Sequence, residues 1–395
     1  MKDVVIIANF CSALDKPTNS RFTYIADMIK KNNNVELVGS GFSHDSKKKR
    51  KFDSSRFDYK VTLIDEPGYK RNISIRRFWS HYVWGKRVFK YILHRKRPDV
   101  IYCAIPSITV AAKVGRYCND NNIKFIVDIQ DLWPEAFQMV FRVPIISSIL
   151  FAPFKYIVNQ AYKAADEIVG VSQTYVDRVL SVNKKCDIGH SVFLGTNLDT
   201  FDKNANENIV DKPKDEIWLG YCGTLGASYD LTCVIDALKI MNDQGIQAPI
   251  FIVMGDGYRR EEFEEYAKKM HVEARFTGSL SYPKMCGYIK ACDIVVNPIM
   301  KGAAGSIINK HADYAASGLP VINTQECEEY RKLVYSYKMG FNCNNGDADD
   351  VAHKLFKLIQ NDKLRVEMGS NARKCADDKF DRKISYQGIM DVIDS

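Results

Sequence analysis

The 395-residue sequence lacks the motifs of several large protein classes. Its eleven cysteines are scattered, and no two of them have the two-residue spacing of a zinc knuckle or a thioredoxin-like site. Its seven histidines include no His-Glu-x-x-His motif. The longest uncharged apolar run, residues 143–154, contains two prolines and is too short to span a bilayer. We therefore expect reduced thiols, no bound metal and no membrane-spanning helix.

The composition excludes further classes. Hydrophobic residues make up 46% and charged residues 26% of the chain, which excludes a disordered, collagen-like or coiled-coil protein. The start, MKDVVIIANF, lacks a basic region and a cleavage site and predicts a buried strand instead of a signal peptide. The length predicts two or three domains, at roughly 100–200 residues per domain. We expect a cytoplasmic protein, soluble or peripheral to a membrane.

The net charge of +8 is unevenly distributed. Residues 1–200 hold 31 basic and 19 acidic side chains, whereas residues 201–395 hold 25 and 29. Seventeen of the basic residues lie between positions 47 and 97. A basic patch of this kind suits a nucleic acid, an anionic membrane or an anionic substrate, and the charge alone does not choose among them.

Short apolar runs alternate with amphipathic helical patterns along the chain, which predicts an α/β fold with parallel sheets. The predicted strands are 4–8, 35–39, 60–64, 99–103, 124–128, 167–171 and 191–194, then 217–221, 250–254, 274–277, 293–297 and 320–323. A polar segment at 204–216 separates the two series and predicts a linker. We therefore expect two doubly wound, Rossmann-like domains that face a central cleft, with a helical tail from 347. The charged segment 43–51 predicts a mobile loop.

The segment 302–322 has the composition of a diphosphate site. A loop of small residues precedes a predicted helix, and its backbone N–H groups together with the helix dipole favour an anion. Asp313, about one and a half turns into that helix, is placed to accept hydrogen bonds from ribose hydroxyls. The expected donor contacts here are Ala304, Gly305, Ser306, Ile307 and Asn309. An ordinary loop with a solvated Asp313 would have the same composition.

This segment resembles the donor-binding motif of glycosyltransferase family 4, the retaining transferases of GT-B fold. Asn309-Lys310-His311-Ala312-Asp313-Tyr314 is similar to the Asn-Lys-x-x-Glu-Tyr variant of capsule and O-antigen transferases, with Asp313 in place of the second motif glutamate. Gly305 occupies the position of the first glutamate, which in the family touches the donor sugar. The resemblance therefore implies a nucleotide-sugar site whose sugar selectivity is open.

Four more segments resemble family motifs, in the family's order. They are Gly220–Gly226, Val253–Gly257, Phe276–Gly278 and Ala291–Pro298. The resemblance implies donor contacts from Gly223, Thr224, Leu225, Gly226, Gly255 and Gly278, where glycines let the backbone approach a diphosphate. The family's usual Arg and Lys after the first of these turns are missing. We therefore expect Lys310 to be the cation that faces the diphosphate, although a solvated helix lysine is the alternative.

The segment 128–135 combines carboxylates with an aromatic residue after a predicted strand. It resembles the Asp-x-Arg-Asp-Leu-Trp-Pro-Glu segment of transferases that build bacterial surface polysaccharides. The resemblance implies catalytic positions for Gln130, which stands where several members have a histidine, and for Asp131. The expected acceptor contacts are Asp128, Trp133, Glu135 and, from the start of the chain, Arg21. Helix capping by Asp131 and a surface role for Arg21 are the alternatives.

Residues 75–97 mix aromatic with basic side chains at helical spacing. Phe78, Tyr82, Val83, Val88, Phe89, Tyr91 and Ile92 are expected to cluster, with basic residues at their sides. This pattern is typical of a helix that lies on anionic lipid, and residues 143–154 either extend that surface or pack as a buried helix. A core-facing helix with a solvated basic face is the alternative. No nucleic-acid-binding motif accompanies the basic residues, so we expect no nucleic-acid partner.

Together these patterns predict a retaining glycosyltransferase that uses a nucleotide-sugar, a UDP-sugar, without a cofactor. We expect an acceptor-binding domain at 1–203, a donor-binding domain at 204–375, and a helix at 376–395 that packs back on the first domain. The absence of Asp-x-Asp in a suitable loop predicts metal independence, and the expected acceptor is a polyprenyl-diphosphate-linked or free saccharide of bacterial surface polysaccharide synthesis. A sugar-nucleotide epimerase of the same fold and a degenerate membrane-bound scaffold are the alternatives. The sequence predicts no oligomeric state.

Overall fold

The computed structural model describes residues 1–15, 20–72, 74–135, 144–303 and 305–395. The expected contact Ala304 and the first residue of the apolar segment 143–154 lie outside the described residues. The chain divides into two compact units, which are residues Met1–Val192 with Tyr386–Ser395, and residues Phe193–Ser385. The second unit thus begins before the segment that we expected to be a linker.

The first unit is built on a seven-stranded parallel sheet whose strands are apolar and mostly buried. The sheet order is β5-β2-β1-β6-β7-β8-β9. The strands are β1 (Asp3–Ala8), β2 (Asn34–Ser40), β5 (Lys60–Ile64), β6 (Val100–Ile105), β7 (Lys124–Ile129), β8 (Glu167–Gly170) and β9 (His190–Ser191), and a separate antiparallel hairpin joins β3 (Phe42–Ser43) to β4 (Lys48–Lys49). The hairpin corrects the mobile loop expected at 43–51, since backbone pairing orders part of this charged segment.

Helices cover the sheet of the first unit. They are Arg21–Ile29, Ile75–His94, Ile108–Asp120, Pro144–Ala164, Gln173–Leu180 and, from the far end of the chain, Gln387–Asp394. Short 3-10 turns lie at Ser12–Leu14 and Ser54–Arg56. Side chains of the last helix, among them Tyr386, Ile389 and Ile393, are buried in the same apolar core as β1 and β2.

The helix Ile75–His94 begins where the Ser74 hydroxyl caps it by accepting from the Arg77 N–H. Val88 and Ile92, which we expected in a membrane-facing cluster, are fully buried, so the apolar stripe through them packs into the unit. A Cβ at Gly85 would lie 2.8 Å from the Thr109 hydroxyl oxygen, which shows how closely this helix approaches its neighbour.

The second unit is built on a six-stranded parallel sheet of order β12-β11-β10-β13-β14-β15. The strands are β10 (Trp218–Cys222), β11 (Ile250–Met254), β12 (Ala274–Gly278), β13 (Ile294–Asn297), β14 (Val321–Asn323) and β15 (Gly340–Asn342). Apolar cores lie against the sheet, one containing Cys222 and Tyr314, the other Leu219 and Val253. Two parallel sheets covered by helices confirm the predicted fold class.

The helices of the second unit follow the strands in alternation. They are Leu198–Glu207, Leu231–Asp243, Arg260–Lys269, Tyr282–Ala291, Asn309–Ala316, Glu328–Tyr337, Ala348–Ile359, Asp362–Cys375 and Arg382–Ser385, with a π-helix at Ala376–Phe380. Asp230 and Asp347 cap two of them through their carboxylates. The first of these helices enters the segment that we expected to be a linker. Among the described residues, no helix has both the length and the apolar character needed to cross a bilayer.

Candidate functional site

Two glycine-bearing turns meet at the carboxyl ends of β10 and β11. The Gly223 N–H donates to the Met254 carbonyl at 3.0 Å, and the Leu225 N–H donates to the Asp256 carbonyl at 2.9 Å. A Cβ at Gly255 would lie only 1.8 Å from the Gly223 carbonyl oxygen, so only glycine permits this approach. Gly223 itself has a positive φ of 146°. This edge of a parallel sheet is where ligands bind in open α/β folds.

The amine of Lys310 lies directly beside the first turn. A Cβ at Gly223 would lie 2.9 Å from Lys310 Nζ. The amine lies 4.3 Å from the ring centre of Tyr221 and 4.0 Å from that of Tyr229. It is buried, with 7% of the residue exposed, and among the described residues Nζ has no hydrogen-bond partner. Burial lowers the pKa of Lys310 to about 7, against a small opposing effect of Cys222.

Lys310 belongs to the first turn of the helix Asn309–Ala316, which points its free N–H groups toward its start. His311 fixes that turn, because its Nδ1 accepts from the Ile308 N–H at 3.2 Å. The His311 ring is fully buried and stacks on Tyr330 with 3.5 Å between ring centres. Burial holds the pKa of His311 well below its ordinary value, with Lys310 adding to the effect, so the ring is neutral. The arrangement offers a cation and a helix dipole to an anion.

The other expected donor residues fall into two groups. Leu225 and Ile307 are buried in the apolar cores, and the Ser306 carbonyl accepts from Gln325 Nε2 at 2.8 Å. These three therefore hold the loops in place. Of the remaining residues, Gly226 and Gly278 are also buried, whereas Thr224, Gly305 and Asn309 are exposed. A Cβ at Gly305 would meet no atom within 4 Å.

Asp313 does not present a solvated carboxylate. It is 8% exposed and accepts a hydrogen bond from the Tyr282 hydroxyl at 2.8 Å. The same hydroxyl lies 3.0 Å from Thr196 Oγ1. Burial raises the pKa of Asp313 to about 6, and these hydrogen bonds oppose the rise. Tyr282 therefore occupies part of the hydrogen-bonding capacity that we expected a ribose to use.

In the first unit, Arg21 and Asp128 bind each other. Arg21 Nε and Nη2 donate to the two carboxylate oxygens of Asp128 at 2.8 and 3.2 Å, and the residues are 4% and 0% exposed. The Tyr102 hydroxyl also donates to Asp128, at 2.8 Å. Arg21 reaches the Val192 carbonyl at 3.0 Å as well. The acceptor roles expected for both residues do not fit this geometry, because a fully buried, paired carboxylate and guanidinium are part of the core.

The neighbouring acidic segment is partly open. Gln130 Nε2 donates to Asp128 at 3.3 Å, and the Trp133 indole N–H donates to Asp131 at 3.1 Å. Burial raises the pKa of Asp131 above its ordinary value, although the Trp133 hydrogen bond opposes the rise. Glu135 is bound by Arg178 Nε at 2.7 Å. Gln130 and Asp131 are therefore half-buried at the carboxyl end of β7, whereas Glu135 is engaged in an ion pair.

Sequence reasoning missed the two tyrosines that enclose Lys310. Tyr221 lies within the glycine motif. Tyr229 lies three residues after that motif, in the segment where the family usually has an Arg and a Lys. Aromatic faces attract cations, so these two tyrosines were the sequence signal that could have indicated a neighbouring lysine amine. Within the described ranges, no group of three His, Cys, Asp or Glu side chains is arranged to hold a metal ion.

The chain is similar to known glycosyltransferases. Residues 202–375 match the family described as Glycosyl transferases group 1. The chain is 24% identical over 237 residues to the uncharacterized glycosyltransferase MJ1069 of Methanocaldococcus jannaschii, and the alignment spans 59% of each protein. It is 21% identical over 321 residues to the capsular polysaccharide biosynthesis glycosyltransferase CapM of Staphylococcus aureus, across 77% of this chain and 79% of CapM.

The fold has a counterpart among solved structures. The crystal structure of Alr3699/HepE from Anabaena in complex with UDP matches with a TM-score of 0.70 at 15% identity, and 100% of both chains is covered. Residues 202–375 therefore match a glycosyl transferases group 1 domain, and the whole chain shares the fold of the HepE structure, which supports the resemblance to glycosyltransferase family 4.

Proposed function

We propose that the protein is a retaining glycosyltransferase that moves a sugar from a UDP-sugar to a saccharide acceptor, free or linked to a polyprenyl diphosphate. The observation that carries this proposal is the Lys310 amine, which is buried without a hydrogen-bond partner among the described residues and lies beside the Gly223 turn. A buried cation without a partner is costly, and a diphosphate would supply the missing charge. The likeness to HepE, whose structures contain UDP and UDP-glucose, supports this choice of donor.

The proposed chemistry is electrostatic. As the bond between the anomeric carbon and the diphosphate breaks, negative charge grows on the diphosphate oxygen. Protonated Lys310 and the N–H groups at the start of its helix would stabilise that charge, which lowers the barrier. The acceptor hydroxyl forms its new bond on the same face of the sugar and passes its proton to the departing diphosphate oxygen. No metal ion is needed in this proposal because Lys310 supplies the positive charge.

The two parts of the chain would divide the work. Residues 204–375 would bind the donor through Gly223, Gly255 and Lys310, and residues 1–203 would present the acceptor, with 376–395 returning to the first domain. Gln130 and Asp131 would lie near the reacting carbon. The CapM likeness supports a role in surface polysaccharide synthesis.

A test of the reaction uses the purified full chain and radiolabelled UDP-sugars. We expect release of UDP and transfer of label to a membrane lipid extract from a polysaccharide-producing bacterium. If no UDP-sugar binds or turns over in the presence of the extract, the proposed function is wrong. Binding of UDP measured by calorimetry separates a failed donor site from a missing acceptor.

We also propose that the helix Ile75–His94 touches the inner face of the plasma membrane. Ile75, Trp79, Tyr82 and Leu93 lie on one stripe of this helix, and they are 89%, 48%, 46% and 48% exposed. Lys86 accompanies the stripe, with its amine 5.8 Å from the ring centre of Tyr82. Aromatic residues beside basic ones suit the interface of an anionic bilayer.

Vesicle sedimentation tests the membrane contact. Vesicles containing anionic lipid should sediment the wild-type protein, and the triple variant I75S/W79S/Y82S should stay in solution. Ile188, 72% exposed elsewhere in the first unit, gives the matched control I188S. Equal sedimentation of the triple variant and the wild type would contradict the contact.

A further inference from the structure

A group of basic and aromatic side chains lies together in the first unit. It is composed of His44, Lys47, Tyr69, Arg77, His81 and Trp133, which we call the basic-aromatic cluster. His44 lies four residues after β2, Tyr69 five residues after β5 and Trp133 four residues after β7. Arg77 and His81 lie one turn apart on the helix Ile75–His94. The cluster therefore lies where the carboxyl ends of parallel strands place a ligand.

The two permanent cations of the cluster have neutral partners. Arg77 Nη1 donates to the Asn72 carbonyl at 2.9 Å, and its guanidinium lies 4.6 Å from the ring centre of Trp133. Lys47 Nζ donates to Asn72 Oδ1 at 2.5 Å and lies 5.0 Å from the ring centre of Tyr69. Among the described residues, neither cation donates a hydrogen bond to a carboxylate.

Asp45 acts on Lys47 only at a distance, and two other nearby carboxylates are already satisfied by neutral donors. Glu66 is buried and accepts from Asn9 at 3.0 Å, Ser40 at 2.5 Å and Ser80 at 2.7 Å. Asp131 accepts from the Trp133 indole, as described above. Both act on Arg77 only at a distance. The positive charge at the cluster is therefore left without a direct counter-ion in the described part of the chain.

The histidines add hydrogen-bond donors to this charge. His81 is 7% exposed, and its Nε2 accepts from Arg77 Nε at 3.5 Å, so its proton is on Nδ1. Within the described residues, Nδ1 has no partner, which leaves a buried N–H without an acceptor. His44 Nδ1 lies 2.6 Å from the Tyr69 hydroxyl. Burial, together with the nearby charges of Lys47 and Arg77, lowers the pKa of His44 to about 4 and that of His81 to about 3.

We propose that the basic-aromatic cluster binds an anionic group of the acceptor, either a sugar carboxylate or a phosphate. The two cations and the His81 N–H supply charge-assisted hydrogen bonds to anionic oxygens, and the aromatic rings form the wall against which a sugar ring packs. The inference rests on the proposed glycosyl transfer, because it names the acceptor class of that reaction. A neutral saccharide would leave the charge of Arg77 and Lys47 uncompensated.

The test is calorimetry on the full chain with its nucleotide site saturated by UDP. The probes are inorganic pyrophosphate, methyl glucuronide and, as the neutral counterpart, methyl glucoside. We expect one or both anions to bind and methyl glucoside not to bind. Binding of pyrophosphate alone assigns a phosphate, binding of the glucuronide alone assigns a sugar carboxylate, and binding of both fits a shared anion site. The absence of binding by both anions overturns the proposal.

Substitutions in the basic-aromatic cluster test whether the anion binds there. R77Q and K47Q should each weaken the affinity for the anion at least about tenfold, since each removes a charged hydrogen-bond donor. The neighbours R76Q and K48Q are the matched controls and should bind as the wild type does. Lys47 is half-exposed on a hairpin, so K47Q keeps the test valid if R77Q fails to fold. Wild-type affinity in a folded K47Q and R77Q would overturn the proposal.

This design separates the two proposals. If UDP binds but neither anion does, the inference about the acceptor fails and the proposed donor chemistry stands. If UDP does not bind, the proposed function fails, and the anion titrations, repeated without UDP, still report on the basic-aromatic cluster.

Discussion

Arg21 in the first unit and Lys310 in the second are both buried cations, and they are held in opposite ways. Burial would lower the pKa of Arg21, but the charge of Asp128, helped by Tyr386 and Tyr102, raises it above its ordinary value. Lys310 faces two tyrosine rings and, among the described residues, has no carboxylate partner, and burial lowers its pKa to about 7. A paired buried cation holds the core together, whereas an unpaired one is available to a ligand.

The largest effect is expected from the removal of Asp128, the partner of the buried Arg21. Asp128→Ala should lower the free energy of unfolding of the first unit by about 3–5 kcal/mol, because Arg21 is left as an uncompensated buried charge. Urea denaturation followed by circular dichroism measures the change. Asp58→Ala is the control, since Asp58 pairs with Lys30 at an exposed site, where the loss of an ion pair has a much smaller effect on stability. Equal losses in the two variants would show that the buried pair is not specially stabilising.

Removal of the unpaired cation, Lys310, should affect ligand binding and not the stability of the fold. Lys310→Met should weaken UDP binding about 10–100-fold, the value of one hydrogen bond to a charged group, and leave the free energy of unfolding unchanged or higher. Calorimetry with UDP and thermal unfolding measure the two quantities. Lys332→Met, at an exposed position of the same unit, is the control. A large loss of stability in K310M with unchanged UDP affinity would make Lys310 a structural residue.

The turn beside Lys310 can be altered without touching its charge. Gly223→Ala should lower the free energy of unfolding by about 1–3 kcal/mol, because the new Cβ would lie 2.9 Å from Lys310 Nζ and the residue has a positive φ of 146°. UDP affinity should fall with it. Gly388→Ala, in the helix Gln387–Asp394 of the first unit, is the control, since its Cβ would meet no atom within 4 Å. If the two variants bind UDP equally well, the Gly223 turn does not shape the site.

The smallest effect is a dependence on pH. Since the pKa of Lys310 is about 7 in the free protein and a bound diphosphate would raise it, UDP affinity should be highest below pH 7. It should then fall by up to about tenfold per pH unit as the amine loses its proton. In K310M this fall should vanish, while ionisation of the nucleotide's own phosphate remains. A parallel pH profile in both proteins would exclude titration of Lys310.

Much of the fold could be predicted from the sequence, because its strands are continuous apolar runs. β10 to β14 follow the predicted strands closely, and the alternation of strands with helices predicts the α/β class. β15, Gly340–Asn342, was missed since it is three residues long, begins with glycine and is only half-buried. The hairpin of β3 and β4 was missed because each strand has only two residues and its pairing is formed by the backbone.

The site was predictable only where it follows a local motif. The glycine turns and Lys310 lie within short segments, so their spacing indicates their role. Arg21 and Asp128 are 107 positions apart, and no local pattern shows that they bind each other. The basic-aromatic cluster comes from separate elements, and its only local indication is the four-residue spacing of Arg77 and His81.

The position of the last helix has a consequence for how the chain folds. Tyr386, Ile389 and Ile393 complete the apolar core of the first unit, yet they follow every residue of the second unit in the sequence. Domains usually fold in order as they leave the ribosome. Here the first unit must wait, with part of its core open, until the second unit has been synthesised. During that interval its exposed apolar surface is the part of the nascent protein most in need of a chaperone.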